Sequence, residues 1–142
     1  LTTLSKFKIN KTNTRSTYME YLEILDYTGE GYKPLVRFEE WRVAIINYAE
    51  RFEEKNFKRL ERHNLTDEVF ILIDGSASLV IGEGSENVEN IKIYPMEKQK
   101  LYNVKKNVWH HIFLSKDACV VVVENDNTSV ENTDYIEINS DK

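Results

Sequence analysis

Glu61-Arg62-His63-Asn64-Leu65-Thr66-Asp67-Glu68-Val69-Phe70-Ile71-Leu72-Ile73-Asp74-Gly75 is the stretch whose reading decides the fold. Its second half is an apolar run rich in β-branched and aromatic residues. It ends on Asp74-Gly75, where glycine permits the positive φ of a tight turn, and Ala77 to Ile81 reads as the returning strand. Alternate residues of a strand share a face, so Glu68 points the same way as Phe70 and Leu72, into a core. A carboxylate facing a core is costly unless it is paired, hydrogen-bonded or bound to a cation. In the preceding extended segment Glu61 and His63 also share a face and make two further possible ligands.

The period-two pattern continues on both sides. Strands are expected over 35–38, 41–48, 58–63, 68–74, 77–81, 91–94, 100–104, 108–114, 119–124 and 135–138. Many short strands at close spacing mean an all-β sandwich or barrel. Before residue 35 the pattern differs: Tyr18, Tyr21, Leu22 and Leu25 fall on one helical stripe, which predicts a short helix. The expectation is a single domain, with residues 1–34 as an N-terminal arm packed on a barrel of residues 35–142. The mixed-charge run from Glu50 to His63 reads most simply as a solvated hairpin or loop.

Composition narrows the function. A net charge of −5 over 142 residues supplies no basic field for a phosphate backbone, so nucleic acid is not an expected partner. No apolar run approaches the roughly 20 residues that span a bilayer, so no membrane partner is expected. Cys119 is the one cysteine, which leaves no intrachain disulfide or multi-cysteine zinc site. With no apolar signal segment in Leu1 to Asn13, a cytoplasmic setting is expected.

Two segments together resemble the cupin superfamily, whose fold is a double-stranded β-helix or jelly-roll barrel. The first cupin motif runs His-x-His, three or four residues, Glu, six residues, Gly; here Glu61-Arg62-His63, four residues, Glu68, six residues, Gly75 follows it, with Glu61 in place of the first histidine. The second motif opens on a glycine and later runs Pro-x-Gly, two residues, His, then an asparagine. Lys105-Lys106-Asn107-Val108-Trp109-His110 keeps the histidine and the spacing. Lysine stands for proline, Asn107 for glycine, Gln99 for the leading glycine and Leu114 for the final asparagine. Asparagine still tolerates the left-handed conformation of a turn.

The resemblance implies a divalent metal ion (Mn, Fe, Co, Ni or Zn) inside the barrel, held by His63, Glu68 and His110 with Glu61 in the slot of the missing histidine. Imidazole and carboxylate donors suit these ions. It also implies that a carboxylate such as Glu61 or Glu68 moves the proton in catalysis. Glu61 has a second reading, a solvated charge beside Arg59 and Arg62. His63 has one too, a strand-end histidine bonded to Glu68. His111 points away from His110 and is expected at the surface or an interface.

Arg42, Ala44, Ile46 and Tyr48 share one face of their strand, and Trp41, Val43, Ile45 and Asn47 the other; either could line the cavity. Arg42 and Tyr48 are the candidate substrate-binding residues. Arg42 could grip a carboxylate or phosphate bidentately or close a salt bridge at the sheet rim. Trp41 and Trp109 read as core or interface, and Cys119 as structural.

The expected function is a small cupin that binds a divalent metal and a small oxygen-rich metabolite, such as a sugar derivative or a hydroxy or keto acid. Isomerase, lyase or oxygenase chemistry would suit it. The alternative is a metal-free small-molecule-binding or sensing module without catalysis. A purely structural dimerising domain would leave the core-facing Glu68 without a reason. Unpaired sheet edges, together with Trp41, Trp109 and Phe113, predict a homodimer.

Overall fold

A computed structural model of the chain describes residues 7–8, 11, 17–18 and 21–139. After a short pair, β1 (Thr17–Tyr18) and β2 (Glu23–Ile24), the strands are β3 (Gly31–Phe38), β4 (Trp41–Asn47), β5 (Arg59–His63), β6 (Glu68–Asp74) and β7 (Ala77–Glu83). They continue with β8 (Asn90–Pro95), β9 (Tyr102–Val104), β10 (Trp109–Leu114), β11 (Cys119–Asn125) and β12 (Thr133–Glu137). Two five-stranded antiparallel sheets result, in the orders β3-β4-β11-β6-β9 and β12-β5-β10-β7-β8. The chain crosses between them repeatedly, so His63 on β5 and Glu68 on β6 come from opposite sheets although five residues apart. This is the all-β, cupin-like architecture expected.

The inner faces carry the core. Ala44, Ile46, Phe70, Leu72, Leu79, Ile112, Val120 and Val122 are buried between the sheets, at intervals of two along each strand. Full burial of one such aliphatic side chain contributes roughly 1.5–3 kcal/mol. A second cluster, Leu60, Val80 and Trp109, covers the outer face of β5, β7 and β10. Gly82 makes room for it: a Cβ there would lie 2.7 Å from Leu60 Cδ1 and 3.0 Å from Trp109 Cβ. The indole nitrogen donates to Ser85 O at 2.8 Å and the Arg62 guanidinium sits over the ring, so Trp109 is a core residue. Trp41 is 43% exposed beside Phe38.

The turns follow the local chemistry. Gly75 has φ 68, and its backbone passes so close to Asp117 and Ala118 that a Cβ would clash. Gln99 and Asn107, where the cupin pattern has glycines, both adopt φ 67. The backbone conformation of the motif is thus kept although the residues differ. Asn107 N donates to His63 O at 2.9 Å, tying the turn before β10 to the end of β5.

Two expectations are corrected. The helix over 18–25 does not form among the described residues; Thr17–Tyr18 pairs with Glu23–Ile24 instead, and residues 19–20 lie outside the described set. Its stripe has nothing to bury against, since Tyr21 is 92% exposed and Leu22 57%, and a short helix without a packed face is marginal in water. The segment after β4 is no plain loop: 3-10 turns at Glu50–Phe52 and Glu54–Asn56 bury Phe52 in the main core. No helix among the described residues is long and apolar enough to cross a membrane.

Candidate functional site

The cavity lies between the sheets and has a volume of about 590 Å³. β5 brings Glu61 and His63 to it, β6 brings Glu68, β10 brings His110, and β11 brings Glu124. His110 and Glu61 are direct partners in the β10–β5 register.

Glu68 Oε2 accepts from His110 Nε2 at 2.9 Å and from His63 Nε2 at 3.0 Å. His110 Nδ1 is 2.9 Å from Val108 O and donates to it, which aims Nε2 inward. His63 Nδ1 is held by Thr133 Oγ1 at 2.9 Å. Glu61 Oε1 stands farther off, 3.9 Å from His63 Nε2 and 4.0 Å from His110 Nε2.

Burial alone would push the Glu68 carboxyl up; the bonds and charges of His110 and His63 outweigh it and hold the group at about 2. For His110, burial opposes the charged form, but the Glu68 bond and charge, with Glu61 and Val108 O, lift it to about 9. His63 moves up for the same reasons, burial opposing and Glu68 prevailing. The cluster is therefore a carboxylate bonded to the His110 imidazolium, with His63 drawn toward its charged form.

Glu124 was not singled out from the sequence. Its Oε1 accepts from Tyr32 Oη at 2.6 Å and Arg42 Nη2 at 2.9 Å, while Oε2 is buried, makes no hydrogen bond among the described residues, and lies 4.0 Å from His63 Nε2. Burial first, and then the charge of Glu68, push its carboxyl up. The signal for it was the alternation Val120, Val122, Glu124, the same pattern that placed Glu68.

Arg42 lines the cavity but is engaged. Besides Glu124 it donates to Tyr32 Oη at 2.9 Å, Asp126 O at 3.1 Å and Thr128 O at 3.2 Å. Tyr48 bonds Glu53 and is absent from the cavity wall. His111 is on the opposite face from His110, half-buried rather than at the surface. It stacks on Phe57 at 5.2 Å, and Phe113 lies edge-on at 5.6 Å. Burial, with the charges of His110, Arg51 and Arg59, lowers it to about 4.

A family model for ureidoglycolate lyase matches residues 5–141. The chain belongs to the ureidoglycolate lyase family. No curated protein sequence gives a significant match. Among solved structures, a 3,4-ketoisomerase from Helicobacter canadensis is 23% identical, with 67% of this chain and 66% of that one covered and a TM-score of 0.50. The Campylobacter jejuni TDP-quinovose 3,4-ketoisomerase WlaRB is 22% identical, covering 68% and 69%, with a TM-score of 0.50. The Streptomyces protein PAC13, solved with uridine, is 11% identical over 84% and 95%, with a TM-score of 0.53. At these identities the likeness is one of fold.

The residues of this ureidoglycolate lyase family member fit a divalent cation. Two groups of donors, Glu61, His63 and His110, and His63, Glu68 and Glu124, each have ligand atoms within 4.8 Å of one another. Nitrogen and oxygen donors of this kind suit the first-row divalent ions. The orphaned Oε2 of Glu124 is a buried acceptor that a cation would satisfy.

Proposed function

We propose that this protein is a metal-assisted lyase acting on a small 2-hydroxy acid of the ureidoglycolate kind. The observation that carries the reading is the shared Glu68 oxygen between His63 and His110, inside a cavity large enough for such a molecule. His63, Glu68 and His110 would hold the ion, with Glu61 and Glu124 beside them. When bound, such an ion polarises a substrate hydroxyl or carbonyl oxygen.

Ureidoglycolate carries a hydroxyl and a ureido nitrogen on one carbon. Its cleavage needs the hydroxyl proton removed as C=O forms, the C–N bond broken, and a proton given to the departing nitrogen. Glu61 is suited to both transfers, because Oε1 is poised near both imidazoles without being bonded to either, and the side chain keeps 40% exposure. Glu68, saturated by two imidazoles, serves as ligand and as the fixed negative charge. Arg42 acts from a distance by holding Glu124 in place.

A second reading, a metal-free binding or sensing module, is favoured by one observation: the Glu68, His63 and His110 network is satisfied as it stands. We further propose a homodimer through the edge strand β8, a reading supported by the exposure of Ile93 (48%) and Tyr94 (46%) there, and a cytoplasmic setting. The test is to incubate chelator-treated protein with ureidoglycolate, with and without Mn, Fe, Co, Ni or Zn, and to follow urea and glyoxylate. Metal-dependent turnover lost in Glu61→Gln supports the lyase. No turnover with any metal overturns it.

A further inference from the structure

Five arginines fall among the described residues, and three are paired with carboxylates: Arg37 with Asp126, Arg42 with Glu124, and Arg62 with Asp134. Arg51 and Arg59 have no ion pair among the described residues, and both line the cavity that contains His63, Glu68 and His110. Each guanidinium sits over a ring instead, Arg51 at 4.4 Å from the Phe52 centroid and Arg59 at 4.2 Å from that of Tyr135. A guanidinium over a ring keeps its N–H edge available to an oxyanion. Glu137 lines the same wall and is the register partner of Arg59, yet forms no ion pair with it. Lys58 adds a third cation to the cavity lining.

Glu61, Glu68, Glu124 and Glu137 line the cavity together with the cationic Arg51, Lys58 and Arg59, so charges of both signs face it. Charge of this kind orients a ligand whose two ends differ.

We propose that Arg51, Lys58 and Arg59 form an anion-binding subsite that holds the carboxylate or phosphate end of the substrate and turns its hydroxyl-bearing carbon toward His63, Glu68 and His110. This rests on the reading of the cavity as a substrate site and names the substrate class, a small hydroxylated oxyanion.

The test titrates the full chain calorimetrically with glycolate, 2-phosphoglycolate and uncharged glycolamide. Both anions are expected to bind, glycolamide about tenfold or more weakly, because charge-assisted bonds are roughly twice as strong as neutral ones. Arg51→Gln with Arg59→Gln should weaken the anions by about tenfold or more, whereas Arg37→Gln should leave them unchanged. The tighter of the two anions tells carboxylate from phosphate. Should the double Gln variant not fold, Arg51→Lys with Arg59→Lys replaces it, and a loss of a few-fold is expected because lysine lacks the bidentate fork. Equal binding of glycolate and glycolamide overturns the proposal, as does an unchanged affinity in the arginine variants or no binding of either anion. Turnover separates this from the lyase reading. A wild type that cleaves ureidoglycolate while the arginine variants keep its KM removes the subsite and leaves the lyase. Arginine-dependent anion binding without any turnover does the reverse.

Discussion

Oε2 of Glu68, on one sheet, lies 2.9 Å from Nε2 of His110 and 3.0 Å from Nε2 of His63, both on the other. One buried carboxylate oxygen therefore ties the two layers together at the site. Removing one partner from a buried charged cluster leaves the others uncompensated and costs about 3–5 kcal/mol. Glu68→Ala should lose stability of that order in urea unfolding and should lose metal binding with it. A variant as stable as wild type would mean that the imidazoles are neutral and need no partner.

Stability of the metal-free protein should depend on pH in two windows. His110 is raised from 6.5 to about 9, so its contribution is fully present below 6.5 and is lost as pH rises through about 9. Glu68 is lowered from 4.5 to about 2, so its contribution is present above 4.5 and is lost as pH falls toward 2. Melting temperatures across pH should show a plateau between these limits, and His110→Asn should flatten the alkaline side.

Metal binding should release protons. His110 must lose its Nε2 proton to become a ligand, and below its raised pKa of about 9 that proton is present. The apparent affinity should therefore rise with pH, and calorimetric heats should differ between buffers of unlike ionisation enthalpy. Heats independent of buffer would mean that His110 is not a ligand.

Arg42 and Glu124 form a pair with side-chain exposures of 12% and 3%. Arg42→Met alone strands the Glu124 carboxylate and should destabilise by about 3–5 kcal/mol. Arg42→Met together with Glu124→Met should recover much of the loss, because apolar side chains of similar size avoid the desolvation cost. A double-mutant cycle by chemical denaturation measures the coupling; additive losses would show that the pair is not coupled.

Much of this protein is written in local pattern. Strand β6, its turn at Gly75 and the inward face of Glu68 follow from alternation and from glycine's access to positive φ, and these depend only on neighbours along the chain. The helix expected over 18–25 shows where that logic ends. A stripe of Tyr21, Leu22 and Leu25 makes a helix only if something covers it, and here those side chains face solvent.

By itself the sequence determined the all-β class and the turn at Gly75, because a period of two assigns faces and glycine permits positive φ, while its resemblance to the cupin motifs implied the group Glu61, His63, Glu68 and His110. Only the tertiary structure decided that Glu124, with Tyr32 and Arg42 behind it, completes the cluster. It also decided that Tyr48 is spent on Glu53 and that His111 is packed among phenylalanines. Those outcomes depend on which strands become neighbours and in what register, through contacts between residues as far apart as Tyr32 and Glu124. No local period encodes such a distance.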